Sequence, residues 1–342
     1  MPRRVILSRT DAIGDVVLTL PAAGILKKQF PESRVIFFGR TYTQPVIAAC
    51  EYVDEFFNYD DFVKLNSSER KKFLEDIHAD AIIHVFPRPG IATAAKAAGI
   101  PLRIGTTNRL YHWWTCNTLI PSGRKNSSLH EAQLNTKLLS PFGIREKFQT
   151  AELKNFFGLT KIKPLPGELQ QKLSNVKFNL VLHPKSNVSA REWSLQRYGE
   201  LIRLLPPVKF NIFITGTEKE KATMSDWLQS LPPHVHDYTA KMNLDELISF
   251  LNRIDGLVAA STGPLHIAGA LGKHVLGIYP PIRPMHPGRW APLGERAEFA
   301  VNNKTCSDCR SSSVQCHCMN EISASEVVQR ILSWRKVNGV IV

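Results

Sequence analysis

With 342 residues and 43% apolar content, the chain exceeds one ordinary domain and can build proper cores, so two domains of similar size are expected. No stretch is apolar for the length of a membrane span, and Val5-Ile6-Leu7 is too short for a signal-peptide core; a cytoplasmic location is expected. The net charge of +13 favours anionic partners, but Lys and Arg are spread along the chain and the common nucleic-acid-binding signatures are missing, so no nucleic-acid partner is expected.

Val5 to Leu7 reads as a buried strand, Val16 to Gln29 as a helix, and Arg34 to Phe38 as the next strand, one β-α-β unit. The short connector Ser8 to Asp15 lies between the first two. Val46 to Cys50 and Ser67 to Ile77 have helical spacing; Phe56-Phe57 and Ala81 to Phe86 read as strands. Ile91 to Ala98 is a helix, Leu102 to Gly105 a strand, and Ser128 to Leu139 a helix. The aromatic cluster Tyr111-His112-Trp113-Trp114 is expected to be buried packing, with sugar stacking or membrane contact as the functional alternatives. Thr160 to Leu173, with two prolines and a glycine, reads as a linker.

The alternation then restarts. Strands are expected at 179–183, 210–214, 235–237, 256–260 and 275–279, and helices at 194–205, 218–231, 244–252, 265–271 and 323–337. Strands alternating with helices imply a parallel α/β sheet in each half. The expected division is 1–160 for the N-terminal domain, 161–175 for the linker, and 176–322 for the C-terminal domain. The closing segment 323–342 is expected to pack back on the N-terminal domain. Doubly wound domains bind ligands at the carboxyl ends of their strands, so two of them facing a central cleft would line it with those loops.

Three stretches fall at strand carboxyl ends. Thr10-Asp11-Ala-Ile-Gly14-Asp15 offers a glycine for close approach and two carboxylates; for Asp15, helix capping is the commoner role. His183-Pro-Lys185-Ser-Asn187 through Arg191-Glu-Trp193 carries two cations and a large aromatic. Ser261-Thr262-Gly263-Pro264-Leu265-His266 joins a strand to a helix. Ser261 or Thr262 would cap that helix, and its N-terminus suits a phosphate. Pro280 to Trp290 adds a proline-stiffened cationic loop. Helix N-terminus, Lys and Arg together would suit a diphosphate leaving group without magnesium.

Arg9-Thr-Asp-Ala-Ile-Gly-Asp15-Val-Val-Leu-Thr-Leu-Pro21, the His183-Pro-Lys and Arg191-Glu-Trp193 pieces, and Ser261-Thr-Gly-Pro-Leu-His266 together resemble the signature regions of glycosyltransferase family 9, the ADP-heptose:lipopolysaccharide heptosyltransferases. The order and spacing match over nearly the whole chain. The resemblance implies a GT-B fold of two Rossmann-like domains. It also implies an inverting, metal-independent transfer from a nucleotide diphosphate sugar, with ADP-heptose as the expected donor, onto a lipopolysaccharide core or related surface glycan.

By the same resemblance, the family's catalytic-base aspartate falls on Asp15, with Asp11 as the alternative base. Its phosphate-binding lysine falls on Arg191, which keeps the charge but changes the fork geometry. Gly14, Lys185, Trp193, Ser261, Thr262, Gly263 and His266 are assigned to the donor. The family's Asp-Thr-Gly-x-x-His has Ser261 in place of its aspartate, which leaves open a different nucleotide sugar or a catalytically silent, glycan- or partner-binding member. Arg88, Arg109, Arg124 and Lys125 are candidates for an anionic lipid-linked glycan acceptor, which would place the protein peripherally on the inner face of the cytoplasmic membrane. Separately, Cys306, Cys309, Cys316 and Cys318 form a C-x2-C-x6-C-x-C cluster. In a reducing compartment it reads as a structural zinc or iron site rather than disulfides.

Overall fold

The computed structural model describes residues 2–121, 123, 127–145, 147–187, 189–302 and 317–334. The chain divides into two compact units, Met1–Lys161 and Ile162–Val342. The first holds a six-stranded sheet of β1 (Arg4–Ser8), β2 (Arg34–Gly39), β3 (Glu55–Asn58), β4 (Ala81–His84), β5 (Leu102–Thr106) and β6 (Thr118–Ile120), in the order β3-β2-β1-β4-β5-β6. The second holds β7 (Phe178–His183), β8 (Phe210–Ile214), β9 (Val235–Asp237), β10 (Gly256–Ala259), β11 (His274–Tyr279) and β12 (Ala297–Val301), in the order β12-β11-β10-β7-β8-β9.

Both sheets are parallel throughout. Read from the other edge, the second order is the first one repeated. Each unit therefore reverses its winding at one point: between β1 and β4, and between β7 and β10. In open α/β sheets, ligands bind outside the carboxyl ends of the strands at that reversal. Strands covered by helices on both faces must be apolar along their whole length. Accordingly Val5, Ile6 and Leu7 in β1, and Leu257, Val258 and Ala259 in β10, are wholly buried.

Some element boundaries differ from those expected. The single helix expected over 16–29 is two, Ile13–Val17 and Leu20–Gln29. Pro21 has no N–H to give to the preceding turn, so it sits at the start of a new helix instead. The helix expected over 218–231 is likewise two, Glu218–Ala222 and Ser225–Gln229. The edge strands β6 and β12 were not expected; β6 is only three residues long, and β12 is mostly half-exposed.

The segment expected as a linker contains the helix Gly167–Gln170, with Leu169 buried, and lies in the second unit. The closing helix, Ala324–Leu332, belongs to the core of the second unit. Val327, Ile331 and Trp334 are buried among Phe178, Leu201 and Phe210, a set of side chains wide enough to cover the helix's whole apolar face. No helix among the described residues is long and apolar enough to cross a membrane.

Candidate active site

The reversal point of the first sheet is organised by a buried arginine. Arg9 directly follows β1 and is 1% exposed. Its Nε donates to Asp11 Oδ1 at 2.6 Å, one Nη to Asp15 Oδ1, and the other Nη to Glu131 Oε1 at 3.1 Å and Asn135 Oδ1 at 3.2 Å. Burial alone would favour loss of the Arg9 proton. Asp15, Asp11 and Glu131 outweigh it and hold the guanidinium pKa above its ordinary value. A buried cation thus faces three carboxylates. Glu131 is fully buried, whereas Asp11 and Asp15 keep 19% of their side-chain surface.

Asp15 lies in the first turn of Ile13–Val17, and the N-cap of that helix, Ala12, makes no side-chain cap bond. Asp15 is therefore not the helix cap. It is a partly exposed carboxylate aimed by Arg9, at a position where the first turn's dipole favours its charge. Such a group is suited to accept a proton from a bound hydroxyl. Arg88, just after β4, closes the neighbouring side. Its Nε donates to Thr10 Oγ1 at 3.0 Å and its Nη2 to the Thr10 carbonyl at 3.3 Å, with the guanidinium over the rings of Phe86 and Tyr59. Arg109, after β5, is exposed. Arg124 and Lys125 lie outside the described residues.

In the second unit, β10 stands between β7 and β11, with Ala259 level with His183 on one side and Gly277 on the other. The loops after these three strands therefore meet at one edge. Thr262 is the N-cap residue of Gly263–Ala270, but its side chain makes no cap bond. This corrects the expected capping role. Thr262 is 5% exposed, and its hydroxyl is buried with no partner among the described residues. His266 is buried one turn further on. The hydroxyl of buried Tyr279 donates to the Trp290 carbonyl.

The loop after β7 is braced by Glu192. Its Oε1 accepts from the Ser186 amide at 2.9 Å and the Ser186 hydroxyl at 3.0 Å, and its Oε2 accepts from Lys185 Nζ at 2.6 Å. The Lys185 charge is thus already matched by a carboxylate, while Arg191 lies half-buried beside it in sequence. Trp193 does not line a ligand site. It is 1% exposed, donates its indole N–H to the Ile322 carbonyl at 3.0 Å, and packs edge-on against Tyr198. The donor role expected for it is corrected to a core role.

His183 belongs to a stretch marked out by the sequence; its partner Thr215, just after β8, was given no role there. His183, the last residue of β7, contacts Thr215 Oγ1 at 3.0 Å and lies 4.0 Å from Glu220. Burial lowers the His183 pKa, against the pull of Glu220 and Glu192. The signal for Thr215 was only positional: it follows β8, the strand next to β7.

Of the expected metal ligands, Cys318 is buried in the helix His317–Asn320. Cys306, Cys309 and Cys316 lie outside the described residues. Among the described residues no group of three or more His, Cys, Asp or Glu is placed to hold a metal ion.

A family model described as glycosyltransferase family 9 (heptosyltransferase) matches residues 90–319. The chain belongs to this family. A Haemophilus influenzae protein named as a glycosyltransferase is 26% identical over 309 residues, covering 85% of this chain and 86% of its own length. The lipopolysaccharide core heptosyltransferase OpsX of the same organism is 22% identical over 302 residues, covering 81% and 79%. The Escherichia coli ADP-heptose lipopolysaccharide heptosyltransferase II structure superposes with a TM-score of 0.75 at 17% identity, covering 96% of this chain and 97% of its own. The fold is accordingly of GT-B type, and this family 9 chain is a glycosyltransferase.

Proposed function

We propose that the protein transfers a heptose from ADP-heptose onto a hydroxyl of a lipopolysaccharide core acceptor, by inverting displacement without a catalytic metal. The donor half rests on one observation above all: a helix N-terminus whose N-cap hydroxyl, on Thr262, is buried and unpartnered. A buried hydroxyl without a partner costs stability unless a ligand completes it. Uncapped first-turn N–H groups beside it favour an anion. A diphosphate oxygen answers both. Lys185, Arg191 and His266 are the protein groups proposed to share the leaving group's charge.

The acceptor half rests on Asp15. Its carboxylate takes the acceptor proton as the oxygen attacks the anomeric carbon and the nucleoside diphosphate leaves with the bonding pair. Inversion follows from a single displacement. Arg9 orients Asp15; Asp11, on the same guanidinium, is the second candidate base. Arg88 and Arg109 suit an anionic, lipid-linked core glycan, which puts the reaction at the inner face of the cytoplasmic membrane.

Ser261 favours a second reading in which the sugar is not a heptose. A serine there offers one hydroxyl, whereas an aspartate would offer two acceptor oxygens to sugar or ribose hydroxyls. Thermal stabilisation by a panel of nucleotide sugars decides between them. A ligand at 100 times its Kd adds about 2.7 kcal/mol to the folded state. ADP-heptose and ADP are expected to raise the melting temperature. Stabilisation by a different nucleotide sugar alone would overturn the heptose assignment.

The four C-terminal cysteines are proposed to hold one zinc or iron ion as a structural tie before the closing helix. Metal analysis of the purified protein, with and without Cys306→Ser, tests this. About one metal per chain, lost in the variant, is the expected result.

A further inference from the structure

We propose that the turn after β5 is a preformed docking knob for an anionic lipid bilayer, with Leu110, Trp113 and Trp114 entering the headgroup region. The chain has six tryptophans, and of these only Trp113 and Trp114 are exposed, each at 60%. Leu110 is 77% exposed. Three large apolar side chains within five residues of chain all point outward, which corrects the expectation of buried packing for Trp113 and Trp114, while His112 is buried as expected.

The turn beneath them is rigid. His112, the first residue of the helix His112–Thr115, is fully buried, and its Nδ1 accepts from the Thr106 amide at 2.9 Å. A Cβ on Gly105 would come within 2.7 Å of both His112 Nδ1 and Cys116 Sγ, so the strand and the turn are in close contact. Arg103 Nε donates to the Thr115 carbonyl at 2.8 Å, and the Trp113 indole N–H to the Thr107 carbonyl at 3.2 Å. Holding the indoles outward therefore costs little further ordering when they bind.

Charge selects the occupant. From Ala81 to His130 the chain has Arg88, Lys96, Arg103, Arg109, Arg124 and Lys125 but no Asp or Glu. Exposed Arg109 adjoins exposed Leu110. Apolar side chains with indole tips beside cations, in a stretch of chain without a carboxylate, form an interfacial anchor. Three side chains on one turn are also too small a patch for a stable protein interface, which buries upward of about 1,000 Å².

Position gives the knob a use. β5 is two strands from β1 in a parallel sheet, so the knob and the Asp15 loop share one edge, with the strand axes roughly 10 Å apart. A bilayer held at the knob would keep a lipid-anchored acceptor near that edge. The inference extends the acceptor reading but is measured without donor or acceptor, so either can fail alone.

The test is flotation of the full chain with phosphatidylcholine vesicles, with and without phosphatidylglycerol, for wild type and Trp113→Ala/Trp114→Ala. Both indoles are exposed, so the variant is expected to fold, as circular dichroism would verify. Wild type should float with the anionic vesicles, less at high salt, and its tryptophan fluorescence should shift to the blue. The double variant should lose about tenfold or more of the partitioning and the fluorescence shift. Equal flotation of both proteins, or of neither, would overturn the proposal. So would a drop in the variant's mass by light scattering, which would make the knob a contact between copies of this chain.

Discussion

Replacing Asp15 with Asn separates chemistry from architecture. The two side chains have the same shape, and the amide oxygen can still accept from Arg9 Nη2. Arg9 retains Asp11, Glu131 and Asn135, so the buried guanidinium loses one charge-assisted bond's worth of attraction while keeping two carboxylates. That difference is about 1–2 kcal/mol of stability, a fall of a few degrees in melting temperature. The amide has no lone pair basic enough to take a proton. General-base catalysis contributes about 10²–10⁴ in rate, or roughly 3–5 kcal/mol of barrier.

The assay is single-turnover transfer from the donor found in the thermal screen, read beside donor binding by calorimetry. Asp15→Asn should lose the stated rate factor with donor affinity within about threefold of wild type, because the base touches the acceptor and not the diphosphate. Asp11→Asn is the matched control, since it also weakens an Arg9 contact. If Asp15→Asn keeps its rate and Asp11→Asn loses it, the base is Asp11. If both keep it, neither carboxylate takes the proton.

Three further outcomes follow from the same geometry. Thr262→Val removes a buried hydroxyl that has no partner, so stability should hold or rise by up to about 1 kcal/mol, while ADP affinity falls by about tenfold; weaker folding with unchanged ADP binding would remove Thr262 from the donor site. Trp193→Phe should cost about 2–3 kcal/mol in chemical denaturation, through the lost bond to Ile322 and lost packing, and leave donor Kd unchanged; a shifted Kd would restore Trp193 to the ligand site. Burial, His112 and Arg103 push the His84 pKa down to about 3. The unfolded chain therefore binds one more proton than the folded chain between pH 3 and 6.5 at this residue, and this contribution, complete above 6.5, is lost as pH falls towards 3. His84→Leu should remove that slope of ~1.4 kcal/mol per pH unit, which urea titrations over the range would measure; an unchanged slope would show that His84 does not set it.

The parallel α/β architecture was legible because apolar runs at β1, β4, β7 and β10 alternate with helical spacing, and burial on both faces forces that pattern. The three loops at strand ends were legible for the same reason: once the strands are placed, their carboxyl ends follow. Thr262 was correctly placed at a helix start, since Pro264 just after it fixes where the helix begins. Whether its hydroxyl would cap the helix was not in the sequence, because that depends on a rotamer set by the packing around it.

Arg9 makes the same division plain. Its neighbours Asp11 and Asp15 are near in sequence, and their partnership is local. Glu131 and Asn135 come from 122 and 126 residues away, and only the fold carries them to the guanidinium. The Trp residues invert expectation in both directions: Trp193 is core, and Trp113 and Trp114 are surface. An indole packs inward wherever a complementary apolar surface arrives to meet it. The helix from Ala324 to Leu332 and its flanks bring that surface to Trp193, and nothing among the described residues covers Trp113 and Trp114. Composition and periodicity, properties of the chain alone, determined the two sheets and their strand-end loops; which side chains meet there was decided by contacts across a hundred residues or more, which no local pattern encodes.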